Sequence, residues 1–320
     1  MIACYIITSL NMLKLLFFGS CVVLAATPMS LALDVVASVK PIHSLVAGVM
    51  DGTTDGPTLL VEGANSPHGF SMRPSHAEAV SRADIVFWVG ESYEVFLTDL
   101  LPTVAPEAIS IPLIDTAGVG TLPFREGGLF ESHEDEAGEG DDDHAEEGAD
   151  PHVWLDPEIA RLLVTRIAEE LSAIDPENEP AYSSNAERLQ ADIATLEREI
   201  VDRLEGIDGS FFVFHDAYHY YERSFGLEAA GAFTINPAVA PGVRRVEEIK
   251  RTIQAADAVC IFTEPQFSPA LLRTLANDTG ANVGVLDPLG ADIADGPNLY
   301  FELMRQMTTS FEECLTRHAE

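Results

Sequence analysis

The 320-residue chain predicts an α/β protein of two lobes with parallel sheets, joined by one long helix, and three observations predict it. The first is a repeated local order, in which a helical segment ends in an Ala-Asp pair and a β-branched, aromatic run follows. Ala83-Asp84 precedes Ile85-Val86-Phe87-Trp88-Val89, and Ala256-Asp257 precedes Ala258-Val259-Cys260-Ile261-Phe262. Short apolar strands bounded by helices are the pattern of βαβ crossovers and parallel sheets. The second is length, since nearly three hundred residues beyond an export signal exceed what one compact core usually takes. The third is a stripe between the two repeats, where Leu189, Ile193, Leu196, Ile200 and Leu204 recur at the 3.6-residue period of a helix.

Taken in order, the chain opens with Lys14, an apolar run over 15–26 and the small residues Ser30-Leu31-Ala32. This is the layout of a cleavable secretory signal, expected to be cut after Ala32, with Met12 as a plausible start. The run is short for a membrane span. A lipoprotein signal ending at Cys21 fits less well, because more apolar sequence follows it. The chain is therefore expected to be exported. The first lobe is assigned to 33–175, with strands at 33–38, 58–61 and 85–89. The linking helix is assigned to 176–206; from about 179 to 205 it would be roughly 40 Å long. Its outer faces carry Glu187, Arg188, Glu197, Arg198, Glu199 and Arg203. The second lobe is assigned to 207–320, with strands at 211–214, 258–262 and 283–286.

Removal of the signal would leave Cys260 and Cys314 as the remaining cysteines. Two cysteines usually pair in an oxidising compartment, and export favours that over the buried free thiols expected in a cytosol. The formal charge of −34 argues against nucleic acid or an anionic membrane as partner and suits cations. The charge is uneven. Residues 126–150 contain twelve acidic side chains and no Lys or Arg, which reads as a solvated, disordered loop.

The histidines are the side chains with metal chemistry, because neutral imidazole suits Zn²⁺. His68 lies in a turn-rich loop after the strand at 58–61. His152 lies in Asp150-Pro151-His152-Val153-Trp154-Leu155-Asp156-Pro157, a segment stiffened by its prolines. His215 ends the strand Phe211-Phe212-Val213-Phe214, and Asp287 follows the strand at 283–286. Loops at carboxyl ends of strands are where α/β sheets bind ligands. These four positions, two from each half, would converge between the lobes as three nitrogens and one oxygen. His219 is four residues beyond His215, the spacing of a helical two-histidine motif, but His215 alone is preferred. His133 and His144 stand in the acidic tract, either as part of a solubilising loop or as an accessory cation trap. His43 and His76 read as structural or exposed, and His318 lies near the carboxyl terminus.

Several runs together resemble a known family. They are Val36-Ala37-Ser38-Val39-Lys40-Pro41-Ile42, Ser66-Pro67-His68-Gly69-Phe70-Ser71-Met72-Arg73-Pro74-Ser75, the segment 150–157, Phe214-His215-Asp216-Ala217-Tyr218, Gly231-Ala232-Phe233-Thr234-Ile235-Asn236-Pro237, Phe262-Thr263-Glu264-Pro265-Gln266-Phe267 and the segment 286–290. Over essentially the whole mature chain the sequence resembles the periplasmic zinc-binding component of bacterial high-affinity zinc-uptake ABC transporters. The resemblance implies two four-stranded parallel lobes joined by one long helix, with the metal in the inter-lobe cleft. It places metal ligands at His68, His152, His215 and Asp287, and a disulfide at Cys260 and Cys314. It implies Zn²⁺ as transported ligand, a membrane permease as partner, a monomer and no enzymatic turnover. Manganese-binding relatives replace the third histidine by a carboxylate, so His215 favours zinc over a manganese-binding reading.

Two departures stand out. The family's loop is commonly histidine-rich, whereas this tract has only His133 and His144. An acidic residue that some members carry before the first histidine is Pro67 here, which leaves Asp287 or water as fourth ligand. The reading from another class is a zinc hydrolase, for which Glu62 or Glu264 would be the nominated base. A third is a metal-stabilised adhesin.

Overall fold

A computed structural model describes residues 33–53, 55–125, 149–234, 243–268 and 270–316. The signal at 1–32, the acidic tract over 126–148 with His133 and His144, and His318 lie outside the described residues.

The first lobe starts with strand β1 (Val35–Val39), which runs without a loop into helix α1 (Lys40–Val49), where Pro41 stands in the first turn. A proline is tolerated there because the first helical N–H groups have no partner inside the helix. Next come β2 (Thr58–Val61), a 3₁₀ turn over Pro67–Gly69, α2 (Pro74–Arg82) and β3 (Ile85–Trp88). Two short helices, α3 (Val95–Thr98) and α4 (Leu101–Val104), lead to β4 (Ile109–Pro112). The four strands pair in parallel in the order β2-β1-β3-β4.

After the acidic tract, a 3₁₀ turn at Val153–Leu155 feeds α5 (Pro157–Ile174). Its N-cap, Asp156, accepts from the N–H groups of Glu158 and Ile159. The long helix α6 (Glu179–Leu204) follows. Tyr182, Ala186, Leu189, Ile193, Leu196, Ile200 and Leu204 form its buried stripe, and it packs on α1, α5 and the helix over Leu299–Leu315. The second lobe consists of β5 (Phe211–His215), α7 (His219–Phe225), β6 (Gly231–Thr234), α8 (Val243–Ala255), β7 (Cys260–Thr263), α9 (Ala270–Thr279), β8 (Asn282–Val285) and α10 (Leu299–Leu315). Its sheet is again parallel, in the order β6-β5-β7-β8, which is the order of the first lobe repeated.

The expected class, two four-stranded parallel lobes with a long helix between their sheets, is the one observed. Details differ for physical reasons. Asp257 adopts a positive φ of 49°, so the turn after α8 is longer than the sequence suggests and the strand begins at Cys260 instead of Ala258. The positions of β4 and β6 were not read from the residues, although four strands per lobe were expected. One is a four-residue edge strand ending in proline, the other starts Gly-Ala, and neither carries a strong β signature.

The lobes are joined by more than the helix. The Lys40 ammonium reaches across to the carbonyls of Ile293 at 2.7 Å and Ala291 at 3.1 Å, and to the Asp295 carboxylate at 3.2 Å. Trp154, fully buried, donates from its indole to the Pro288 carbonyl at 2.9 Å, and the Tyr300 hydroxyl donates to the Trp154 carbonyl at 3.0 Å. At the opposite end of the second sheet, the sulfurs of Cys260 and Cys314 are joined, with their Cα atoms 5.9 Å apart, which ties the start of β7 to α10.

Candidate metal centre

Parallel strands deliver their carboxyl ends to one edge, and there the chain gathers its histidines. His68 sits in the 3₁₀ turn after β2, His152 immediately precedes the 3₁₀ turn before α5, and His215 is the last residue of β5. A ring nitrogen from each lies within 4.8 Å of those of the other two. His152 and His215 are buried, and their Nε2 atoms stand 3.4 Å apart. Two nitrogens held about 2.0–2.1 Å from a tetrahedral ion would be separated by about 3.3–3.4 Å. The pair is thus already spaced for one ion.

Each of these two rings is held from behind by a carboxylate. Glu264, the residue after β7, places Oε1 2.6 Å from Nδ1 of His215. Asp150 places Oδ1 2.7 Å from Nδ1 of His152 and also accepts the His152 backbone N–H at 3.0 Å. The third ring differs. His68 meets Tyr93 edge-on at 5.2 Å and the rings of His215 and His152 at 5.6 and 6.0 Å, and its buried Nε2 has no hydrogen-bond partner. A cavity of about 430 Å³ beside this turn is lined by Asn65, Ser66, Gly69, Phe70, Ser71 and Arg73 of the first lobe and Phe267 of the second.

Burial dominates the protonation of the cluster. It pushes His68 down to about 2, helped by the neighbouring His215 and His152, and it holds His152 well below the ordinary histidine value. For His215 burial acts in the same direction, but the charge and hydrogen bond of Glu264 outweigh it, and the net shift is upward. Burial raises the Asp150 carboxyl to about 6. Three imidazoles, two of them held neutral by burial and two backed by carboxylates, make a donor set for a borderline divalent cation such as Zn²⁺.

Asp287 is not part of the three-histidine group. Its carboxylate accepts from Gln266 Nε2 at 2.7 Å and from the backbone N–H groups of Leu289 at 3.0 Å and Ala291 at 2.5 Å. His219 opens α7 and so does not share a helix with His215. His43 is buried with Nε2 2.9 Å from the Pro57 carbonyl, and His76 stacks on Phe70 and bonds Arg73. Glu62, the other nominated base, pairs with Arg73 on the surface at 3.1 Å. Sequence reading missed the roles of Asp150 and Glu264 beside the rings. The spacing Asp150-x-His152 was a usable local signal, whereas Glu264 reaches His215 from 49 residues away and nothing local points to it.

Comparison with known proteins agrees with this geometry. The family described as "Zinc-uptake complex component A periplasmic" matches residues 35–314. The chain is 41% identical over 307 residues to the high-affinity zinc uptake system protein ZnuA of Brucella suis biovar 1 (strain 1330), covering 88% of this chain and 92% of that one. It is 35% identical over 302 residues to the ZnuA of Yersinia pestis, covering 91% and 94%. Among solved structures, a crystal structure of ZnuA superposes with a TM-score of 0.75 at 24% identity, over 89% of this chain and all of that one. The laminin-binding adhesin Lmb of Streptococcus agalactiae superposes at 0.73 and 22% identity, with coverage of 89% and 100%, and shares the fold.

Proposed function

The chain belongs to the family of periplasmic zinc-uptake component A, and from that premise we propose that His68, His152 and His215 hold the zinc ion it carries. The protein is a periplasmic solute-binding protein of zinc uptake that works with an ABC transporter permease, and it is not an enzyme. Zinc is its cargo. The observation that supports the ligand assignment is the convergence of the three ring nitrogens within 4.8 Å, two of them already at tetrahedral spacing.

The fourth coordination position falls to water or to Asp287. Three donors hold the Asp287 carboxylate, two of them backbone N–H groups, so its recruitment would require exchanging those bonds for the metal. Binding proceeds without turnover. The imidazoles strip water from the ion between the lobes, the loaded lobes dock on the permease, and release is imposed there. The inter-lobe bonds of Lys40 and Trp154 favour small shifts over a wide hinge. The three histidines lie in one chain, and we propose a monomeric carrier.

The test is to strip the protein of metal and titrate Zn²⁺ and Mn²⁺ against a chelator, beside a His215→Ala variant. Tight one-to-one zinc binding, preferred over manganese and weakened by the substitution, is expected. Equal or better manganese binding, or an indifferent His215→Ala, would overturn the ligand set.

A further inference from the structure

We propose that Glu264 and Asp150 are positioning residues of this site. Each fixes the Nδ1–H form of one imidazole, His215 and His152 respectively, so that both Nε2 lone pairs converge on the ion. The inference rests on the zinc-ligand reading above and adds residues that touch the ligands without touching the metal.

A neutral imidazole has one N–H, and either nitrogen can carry it. A carboxylate accepts and cannot donate, so a carboxylate within hydrogen-bond reach of Nδ1 selects the form with the hydrogen there and a free lone pair on Nε2. Both distances, 2.6 Å for Glu264 and 2.7 Å for Asp150, are those of charge-assisted bonds. Both acceptors are sealed from water, with Glu264 3% and Asp150 1% exposed, so solvent cannot compete for the ring hydrogens.

The two carboxylates are themselves fixed. Glu264 follows β7 in the centre of the second sheet, so its backbone is set by the strand. Asp150 is anchored through its backbone, its N–H donating to the Leu122 carbonyl at 2.8 Å and its carbonyl accepting the Tyr220 hydroxyl at 2.9 Å. The result is visible in the 3.4 Å approach of the two Nε2 atoms, which come from different lobes. Two negative charges behind neutral ligands also balance a dication while leaving the coordination sphere uncharged. His68, which no carboxylate among the described residues holds by a hydrogen bond, is the ligand left to adjust when the ion arrives.

The experiment uses the full mature protein with ¹⁵N-labelled histidine and Zn²⁺ as probe, read by long-range proton–nitrogen correlation NMR. In the zinc-loaded wild type, the rings of His152 and His215 are expected to keep Nδ1–H and to show the coordination shift on Nε2. Glu264→Gln and Asp150→Asn should each weaken zinc binding by about 10–100-fold and loosen the single ring form in the metal-free protein. Coordination through Nδ1 of either ring in the wild type overturns the proposal and needs no variant to fold. Variants with unchanged affinity and an unchanged ring form overturn it equally. If zinc leaves all histidine signals unmoved, the ligand reading itself has failed; a wild type that binds through the three rings beside indifferent variants sinks only the positioning role.

Discussion

The Nε2 atoms of His152 and His215 stand 3.4 Å apart, although one residue precedes the helix α5 and the other closes the strand β5. Two cationic imidazolium rings this close would repel each other, and the surroundings favour the extra proton on one of them. His68 and His152 are pushed down and stay neutral in mild acid, whereas His215 is pushed up by Glu264.

The pH dependence of zinc binding follows. Zinc needs the unprotonated ring, so the proton on His215 must leave when the ion enters. Above the raised His215 value the affinity should not change with pH. Below it, log affinity should fall by about one per pH unit instead of three, because two of the three rings have no proton to lose. Asp150, raised to about 6, adds a second proton in more acid solution, and the slope should steepen towards two there. Chelator competition at a series of pH values measures this, and a slope of three around neutrality would contradict the assignment of the protons.

The disulfide gives the second prediction. Cys260 is at the start of β7, and the metal-site residue Glu264 follows its other end. A bridge spanning 54 residues restricts the unfolded chain and should contribute about 4 kcal/mol by loop entropy. The double change Cys260→Ser and Cys314→Ser should therefore lower the unfolding free energy by a few kcal/mol, with zinc affinity nearly unchanged. Denaturant unfolding beside zinc titration separates the two, and a large loss of affinity with stability intact would contradict the separation.

Much of this was legible in the sequence, for an identifiable reason. The α6 stripe from Leu189 to Leu204 is written in the local period, and all five of its residues are buried. The histidines were legible because each ends or follows a recognisable apolar strand or sits between prolines. Glu264 and Lys40 were not legible as partners, since their contacts with His215 and the Ile293 carbonyl cross 49 and 253 residues. Asp287 was read as a ligand from its place after a strand. That place is real, but the backbone N–H groups of Leu289 and Ala291 compete for the same carboxylate, and a turn that closes on itself is invisible in residue types alone.

Arg125, just ahead of the acidic tract, bears the third prediction. Its guanidinium bridges the buried Asp216 and Glu222 of the second lobe, and their charges raise its own affinity for the proton. Removing it in Arg125→Ala leaves two buried carboxylates without their cation and should cost about 3–5 kcal/mol of stability. Deleting 127–147 with a short glycine joint should do far less. Pro123 and Ala149 already form an antiparallel bridge, and Asp150 bonds Leu122 beside it, so the ends of the tract are held independently of its length. Affinity at the three-histidine site should stay within about threefold, since loop length enters only logarithmically. A deletion variant as damaged as Arg125→Ala would show that the tract supports the site.

Glu94 makes the last prediction, one of stability against pH. Its buried carboxyl accepts from the Ser38 hydroxyl at 2.5 Å and from the N–H groups of Val89 at 3.1 Å and Gly90 at 3.0 Å. Burial nevertheless outweighs those bonds and raises it from 4.5 to about 7. Between those values the folded protein holds a proton that the unfolded chain has released. Glu94 therefore makes the fold less stable as pH rises through that window, and its effect levels off above about 7. Glu94→Gln removes the titration but sets an amide N–H₂ against an oxygen site or against the Gly90 N–H, a loss of about 1–3 kcal/mol in acid. The penalty of the substitution should shrink steadily from about pH 5 to about pH 7, because the wild type is losing stability over the same range. Urea unfolding of both proteins at the two ends of the window decides it: a penalty independent of pH would mean that Glu94 titrates as an ordinary carboxylate.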